Sequence, residues 1–301
     1  MARAAVRAAA ALAPATAARA LARRFLTPRR VHLEERERDL VAAARWIELP
    51  FEVRRPGPGE APGRVRAYAW GGQGPTVLLV HGWSSAAGQL AAFVEPLRRL
   101  RFRVVAFDAP AHGASGGARS SAFEMAEVVA AAGRVLGPLH AVVAHSAGAA
   151  AVARAMSRGL EAGRLALLAP WTRPQIWVER FAASFGLSGP MTARLVGAVE
   201  AEAGGRLRDV DFAALAPAVA TPALVVHDRD DALVQIAEVR AAAAAMPAGR
   251  LVETRGLGHS RILRAGEVVE QVVRFVAGPT GISPDPSSHP GRTRMGSTLV
   301  G

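Results

Sequence analysis

From residue 76 to residue 254 the chain repeats one alternation. Short runs of aliphatic and β-branched residues ("TVLLVHG", "FRVVAFDAP", "LHAVVAHS", "RLALLAP", "PALVVHD", "GRLVETRG") are separated by helix-length stretches rich in Ala, Leu and Arg. Runs that are apolar at nearly every position, not at every second one, suit strands covered on both faces. Their spacing by helical segments predicts an α/β fold with a mostly parallel central sheet flanked by helices. Ahead of them, "IELPFEVRR" and "GRVRAYAWG" read as two further strands joined by the Pro/Gly loop "PGPGEAPG".

Two regions depart from this rhythm. Some fifty residues between Pro170 and Pro222 hold no strand pattern but carry Trp171, Trp177, Phe181 and Phe185, and read as a helical insertion over one edge of the sheet. The N-terminal stretch "MARAAVRAAAALAPATAARALARRFLTPRR" is amphipathic and helical in pattern. The expected organisation is therefore a helical extension over 1–45, an α/β domain over 46–277 with a small helical cap at about 171–220, and a Pro/Gly/Ser-rich, disordered tail over 278–301.

Composition narrows the functional classes. Half the residues are hydrophobic, enough for a sizeable core, and no apolar run approaches the length of a membrane-spanning helix. With no cysteine there is no disulfide framework, thiolate metal site or Cys nucleophile. The net charge of +12 invites a nucleic-acid reading, but seven of those charges are Arg residues within the first 30 positions, where no acid occurs. No aromatic interleaving or recognisable module accompanies them, so nucleic acid is not an expected partner. An acid-free, Arg-rich helix is compatible with weak contact to a membrane surface, so the expected location is cytoplasmic, peripheral to the membrane at most. No His/Asp/Glu spacing suggests a metal, and the Gly-rich turns "WGGQGP" and "GASGG" lack the context of a nucleotide loop; no cofactor is expected. The sequence leaves the oligomeric state undefined.

The chemistry centres on "HAVVAHSAGAAAVARAM". A strand runs into Ser146 and a helix begins directly after it, with the small residues Ala144, Ala147, Gly148 and Ala149 around the serine. A sharp strand-to-helix turn needs small neighbours because it brings strand and helix backbones together, and it holds the hydroxyl clear of the sheet near a helix N-terminus. Serine is a poor nucleophile without a base, and the base needs a carboxylate to fix its tautomer. Downstream, "PALVVHDRDDALV" ends a strand in acids and "ETRGLGHSRIL" ends the next in His259, both where strand C-termini place functional loops.

With these segments in order, the chain resembles the α/β-hydrolase-fold serine hydrolases, and is similar to bacterial single-domain members. The segments that carry the likeness, "VLLVHGW", "VVAFDAPAHGASGG", "VVAHSAG", "LVVHDRDDALV" and "GLGHSRIL", run from about Pro75 to Phe275; "RFLTPRR" and "GWSSAAGQL" look like one bacterial subgroup. "AHSAG" departs from G-x-S-x-G by one methyl, at Ala144. The resemblance implies Ser146 as nucleophile and His259 as base. In the family spacing HG-x-x-D-x-x-V, Asp231 takes the acid position and Val234 the terminal apolar one, with Asp230 left as the alternative acid. It also implies an oxyanion hole from the backbone N–H groups of Trp83 and Ala147. His81, His112, His145 and His227 are expected to be structural. Trp83, Trp171, Trp177 and Phe181 are candidates for substrate contact, although aromatics of a cap also serve as its core.

The implied activity is hydrolysis of a carboxylic ester with a small-to-medium apolar acyl group through an acyl-enzyme, the partner being a small-molecule acyl substrate. The same three residues can serve thioesterase, amidase or acyltransferase chemistry, and the fold also occurs as a non-catalytic binding module.

Overall fold

The computed structural model describes residues 3–51 and 65–278. The Pro/Gly loop expected after the first strand and nearly all of the expected tail lie outside the described residues.

Eight strands of the described residues form one sheet in the order β1-β2-β4-β3-β5-β6-β7-β8. They are β1 (Arg45–Leu49), β2 (Val65–Trp70), β3 (Thr76–Val80), β4 (Arg103–Phe107), β5 (Leu139–His145), β6 (Leu165–Leu168), β7 (Ala223–Asp228) and β8 (Gly249–Thr254). The β1–β2 and β2–β4 pairings are antiparallel, and every pairing from β4 through β8 is parallel. In β3 and β6 every residue is buried, whereas the edge strand β8 is only half-buried. The alternation of Cβ directions divides each strand between two cores. Leu78, Val80, Val105 and Val142 face one cluster, and Val77, Leu79, Val104 and Val143 face the other.

Among the described residues twelve α-helices accompany the sheet: α1 (Arg3–Leu12), α2 (Pro14–Phe25), α3 (Glu35–Ala42), α4 (Ala91–Arg99), α5 (Ala122–Leu136), α6 (Ala147–Met156), α7 (Pro174–Ser184), α8 (Gly189–Ala203), α9 (Phe212–Leu215), α10 (Ile236–Ala245), α11 (Gly258–Arg261) and α12 (Gly266–Ala277). Residues of α5, α6 and α10 join the first cluster, those of α4 and α12 the second. Helix α12 shows how the sequence selects its buried face: Val268, Val269, Val272, Val273 and Val276 recur at helical spacing and are all buried.

Above the C-terminal ends of the central strands lies an additional helical layer, built from two distant parts of the chain. Helices α7 and α8 come from the insertion after β6, and α1 and α2 from the N-terminus. Ala18, Leu21 and Ala22 of α2 share a buried cluster with Val178 and Ala182 of α7 and Leu195 and Val199 of α8. Alanine at the contact lets the helices approach closely, and the ion pair of Arg23 with Glu202 at 3.2 Å ties the two parts together at the surface. The apolar face that makes the N-terminal segment amphipathic is thus occupied by the cap. No described helix is long and apolar enough to cross a membrane.

Candidate active site

The sheet connections reverse direction between β3 and β5, and loops at such a switch point open a crevice beyond the strand C-termini. Ser146 stands at the mouth of that crevice, in the single step from β5 to α6. Its backbone adopts φ +52° and ψ −121°, in a region L-residues rarely occupy. The turn is held by the Ser146 N–H, which donates to the Leu168 carbonyl at 3.0 Å, and by the Ser146 carbonyl, which accepts from Trp171 N–H at 3.1 Å. Small residues are required on steric grounds. A Cβ on Gly148 would lie 2.4 Å from the His81 carbonyl oxygen and 2.8 Å from that of Val80, so only glycine lets α6 pack this closely on β3.

A hydrogen-bonded chain leads away from the serine. Ser146 Oγ is 2.9 Å from His259 Nε2, and His259 Nδ1 is 2.7 Å from Asp231 Oδ2. A carboxylate only accepts, so the Nδ1–H donates to Asp231 and leaves the Nε2 lone pair to accept the serine hydroxyl proton. Burial opposes ionisation of Asp231, but the hydrogen bond and charge of His259, with the N–H groups of Leu233 and Val234, outweigh it. The carboxyl is held below the ordinary range.

The neighbouring acids have other partners. Asp230 accepts from Gly256 N–H at 2.9 Å, so Asp231 is the carboxylate brought to His259. Asp228 accepts from Thr254 Oγ1, Leu257 N–H and Asp230 N–H, joining the loop that bears Asp231 to the loop that bears His259. These contacts hold the Asp228 carboxyl low despite burial.

Four other histidines brace this arrangement in their neutral forms. His145 Nε2–H donates to the His259 carbonyl at 2.9 Å, and the two rings lie 4.9 Å apart. Burial, with the neighbouring His259, pushes His145 down to about 3. His227 Nε2–H donates to the Val234 carbonyl behind Asp231. His81 accepts from Ala109 N–H and is lowered by burial to about 4; His112 accepts from Ser84 N–H at 3.0 Å and is lowered by burial to about 3. His112 therefore fixes the turn that carries Trp83. That turn and Ala147 both border the cavity beside Ser146, and the Ala147 N–H belongs to the first turn of α6, where no intrahelical acceptor exists.

The cavity over Ser146 measures about 340 Å³, within the range of small-ligand sites. Trp83, Trp171 and Trp177 are on its wall, as their sequence context suggests, and the two cap tryptophans meet edge to face at 6.1 Å. Phe181 is not on the wall of this cavity; it packs between Phe25 at 5.4 Å and Phe185 at 5.1 Å and faces the larger groove under the N-terminal helices. Phe25 and Leu26, which sequence reasoning did not select, do reach the cavity. Their only sequence signal is the apolar stripe of α2, which announces a buried face without naming its partner. Within the apolar lining, Ser85 Oγ donates to Gln89 Oε1 at 2.5 Å. Among the described residues no three His, Asp or Glu side chains are grouped to hold a metal ion.

A sequence model of the alpha/beta hydrolase family matches residues 77–271, most of the chain. The chain belongs to the alpha/beta hydrolase family. No curated protein matches it significantly by sequence. Among solved structures, this family member is similar to an esterase of Pyrococcus furiosus, at 19% identity and a TM-score of 0.58 over 83% of this chain and 97% of that one. It is also similar to a thermophilic esterase of Thermogutta terrifontis, at 21% identity and 0.55 over 78% and 100%. An alpha/beta hydrolase fold protein of Burkholderia ambifaria matches at 22% and 0.55 over 77% and 98%. At these identities the likeness establishes the shared fold.

Proposed function

We propose that the protein is a serine hydrolase that cleaves carboxylic esters of apolar acyl groups through an acyl-enzyme. The observation that carries this reading is the Asp231, His259 and Ser146 hydrogen-bond chain opening onto an apolar cavity. Ser146 Oγ attacks the ester carbonyl carbon while His259 Nε2 takes its proton, and Asp231 stabilises the imidazolium. The N–H groups of Ala147 and Trp83 receive the oxyanion. Collapse of the tetrahedral species breaks the bond to the alkoxy group, which leaves as the alcohol with the proton from His259. Water, deprotonated by His259, then attacks the acyl-Ser146 carbonyl and releases the carboxylic acid. Trp83, Trp171 and Trp177 favour an apolar acyl group, and among the described residues no acidic side chain lines the cavity to select a cation.

The test is intact-mass labelling with a small fluorophosphonate, alongside hydrolysis of a short 4-nitrophenyl ester. One adduct on the wild type, absent in Ser146→Ala and slowed in Asp231→Asn, is the expected result. A folded wild type that neither labels nor turns over the ester, beside a reactive control hydrolase, would overturn the reading.

A further inference from the structure

The cavity over Ser146 has a neighbour that borders it. A larger groove of about 980 Å³ runs beneath α1 and α2 and shares Phe25, Trp83, Ser84, Trp177 and Leu233 with it. Its walls are chiefly apolar, with Ala17, Leu21 and Phe181 among them, so left to water it exposes apolar surface at a cost that an apolar occupant would remove. Among the described residues, its charged lining residues are Arg24, Arg29 and Arg180. Two of these residues are tied to the site. The backbone N–H of Arg29 donates to Ser84 Oγ at 3.0 Å, next to Trp83, and the guanidinium of Arg180 lies over the Trp177 ring while donating to the Leu233 carbonyl at 2.8 Å.

A short ester would fill only the inner cavity. We propose that the groove receives a long apolar arm of the substrate, and that Arg24, Arg29 and Arg180 bind a negatively charged group, a carboxylate or phosphate, at the end of that arm. The inference rests on the serine hydrolase reading and specifies its substrate class: an anionic amphiphilic ester. It also gives the N-terminal helices a role in specificity. Their Arg residues meet a ligand, and their apolar face closes one wall of its path. Guanidinium groups suit either anion through paired N–H donors, and a trimethylammonium end would be repelled.

The test compares long-chain esters that differ only in their terminal group: methyl, carboxylate, phosphate or trimethylammonium. One series carries the arm on the acyl side and another on the alcohol side. The full-length wild type is measured beside Arg24→Gln/Arg29→Gln and beside Arg134→Gln, a control at the far end of α5, about 20 Å along that helix from its pocket end. In at least one series, kcat/KM for an anionic end should exceed that for methyl by about tenfold. The double variant should reduce that ratio below about two, while Arg134→Gln retains it and all proteins hydrolyse a short acetate ester equally. Relative rates of carboxylate and phosphate ends identify the preferred anion. Turnover of the acetate ester with no anionic preference in either series, or with a preference that survives in the double variant, would overturn the inference and leave the hydrolase reading standing. Equal rates for all ends, with Arg24- and Arg29-dependent sedimentation on phosphatidylglycerol vesicles, would overturn it in favour of membrane docking. Absence of acetate turnover and of fluorophosphonate labelling would remove both readings together.

Discussion

The sheet and the helical layer above it are built on different principles. Strands β3 to β7 are apolar at nearly every position, and successive strands of the chain mostly lie side by side in the sheet. In the upper layer the main partners, α2 and α8, are about 180 residues apart, as in the Arg23–Glu202 pair, and meet through Ala, Leu and Val faces. The sheet has no slack at the serine turn, where backbone oxygens of β3 stand against Gly148. The upper layer encloses open volume instead. The rigid part positions the reacting atoms, and the looser part shapes what can reach them.

Removing the serine gives the sharpest test of that division. In Ser146→Ala, ester kcat/KM should fall by roughly 10⁴-fold or more, with the melting temperature nearly unchanged; Asp231→Asn should lose a comparable factor in kcat. Steady-state kinetics paired with calorimetry check both. Leu21→Ala, in the buried face of α2, should cost about 2–5 kcal/mol, concentrated in the upper layer. Hydrogen exchange over residues 3–26 should rise while amides of β3 and β5 stay protected. Equal loosening of both regions would break the comparison.

Gly148→Ala makes the opposite case. In an ordinary helix that change gains about 1 kcal/mol, but here the methyl meets the carbonyl oxygens of Val80 and His81. Denaturant melts should show a net loss of about 1–3 kcal/mol, with activity reduced because the turn at Ser146 must shift.

A further test is that of pH on the sheet side. His81, His112 and His145 are held neutral by burial at about 4, 3 and 3, well below the unfolded value of 6.5. Their contribution is complete above pH 6.5 and is lost as pH falls toward those folded values, because the unfolded chain binds more protons in that window. At pH 5, unfolding should take up roughly three protons from solvent onto these residues, measurable from the pH dependence of the denaturation midpoint. His81→Gln should lower that uptake by about one.

The fold was legible because strand and helix periodicities are local. The runs "TVLLV", "AVVAH" and "ALVVHD" announce buried parallel strands by lacking polar alternation, and β1 appears at Arg45, the last residue of the expected extension. Ser146 and His259 were legible because each follows a strand end and is flanked by small residues. For the acid the spacing favoured Asp231 and left Asp230 as the alternative, since adjacent residues in a turn point in different directions and the direction depends on closure of the loop. In the structure Asp231, held by Leu233 and Val234 N–H, is the carboxylate that reaches His259, while Asp230 accepts from Gly256 N–H.

By itself, then, the sequence determined the alternation of strands and helices, the order of serine, acid and histidine, and the glycines that make the turns. Those properties depend on neighbours within a few residues. The tertiary structure alone decided that α2 lies on α8, that Phe181 turns away from Ser146 while Phe25 reaches its cavity, and that three arginines gather along one groove. An apolar face requires burial but does not specify its partner. That choice follows from the shape and volume of everything else the chain packs together.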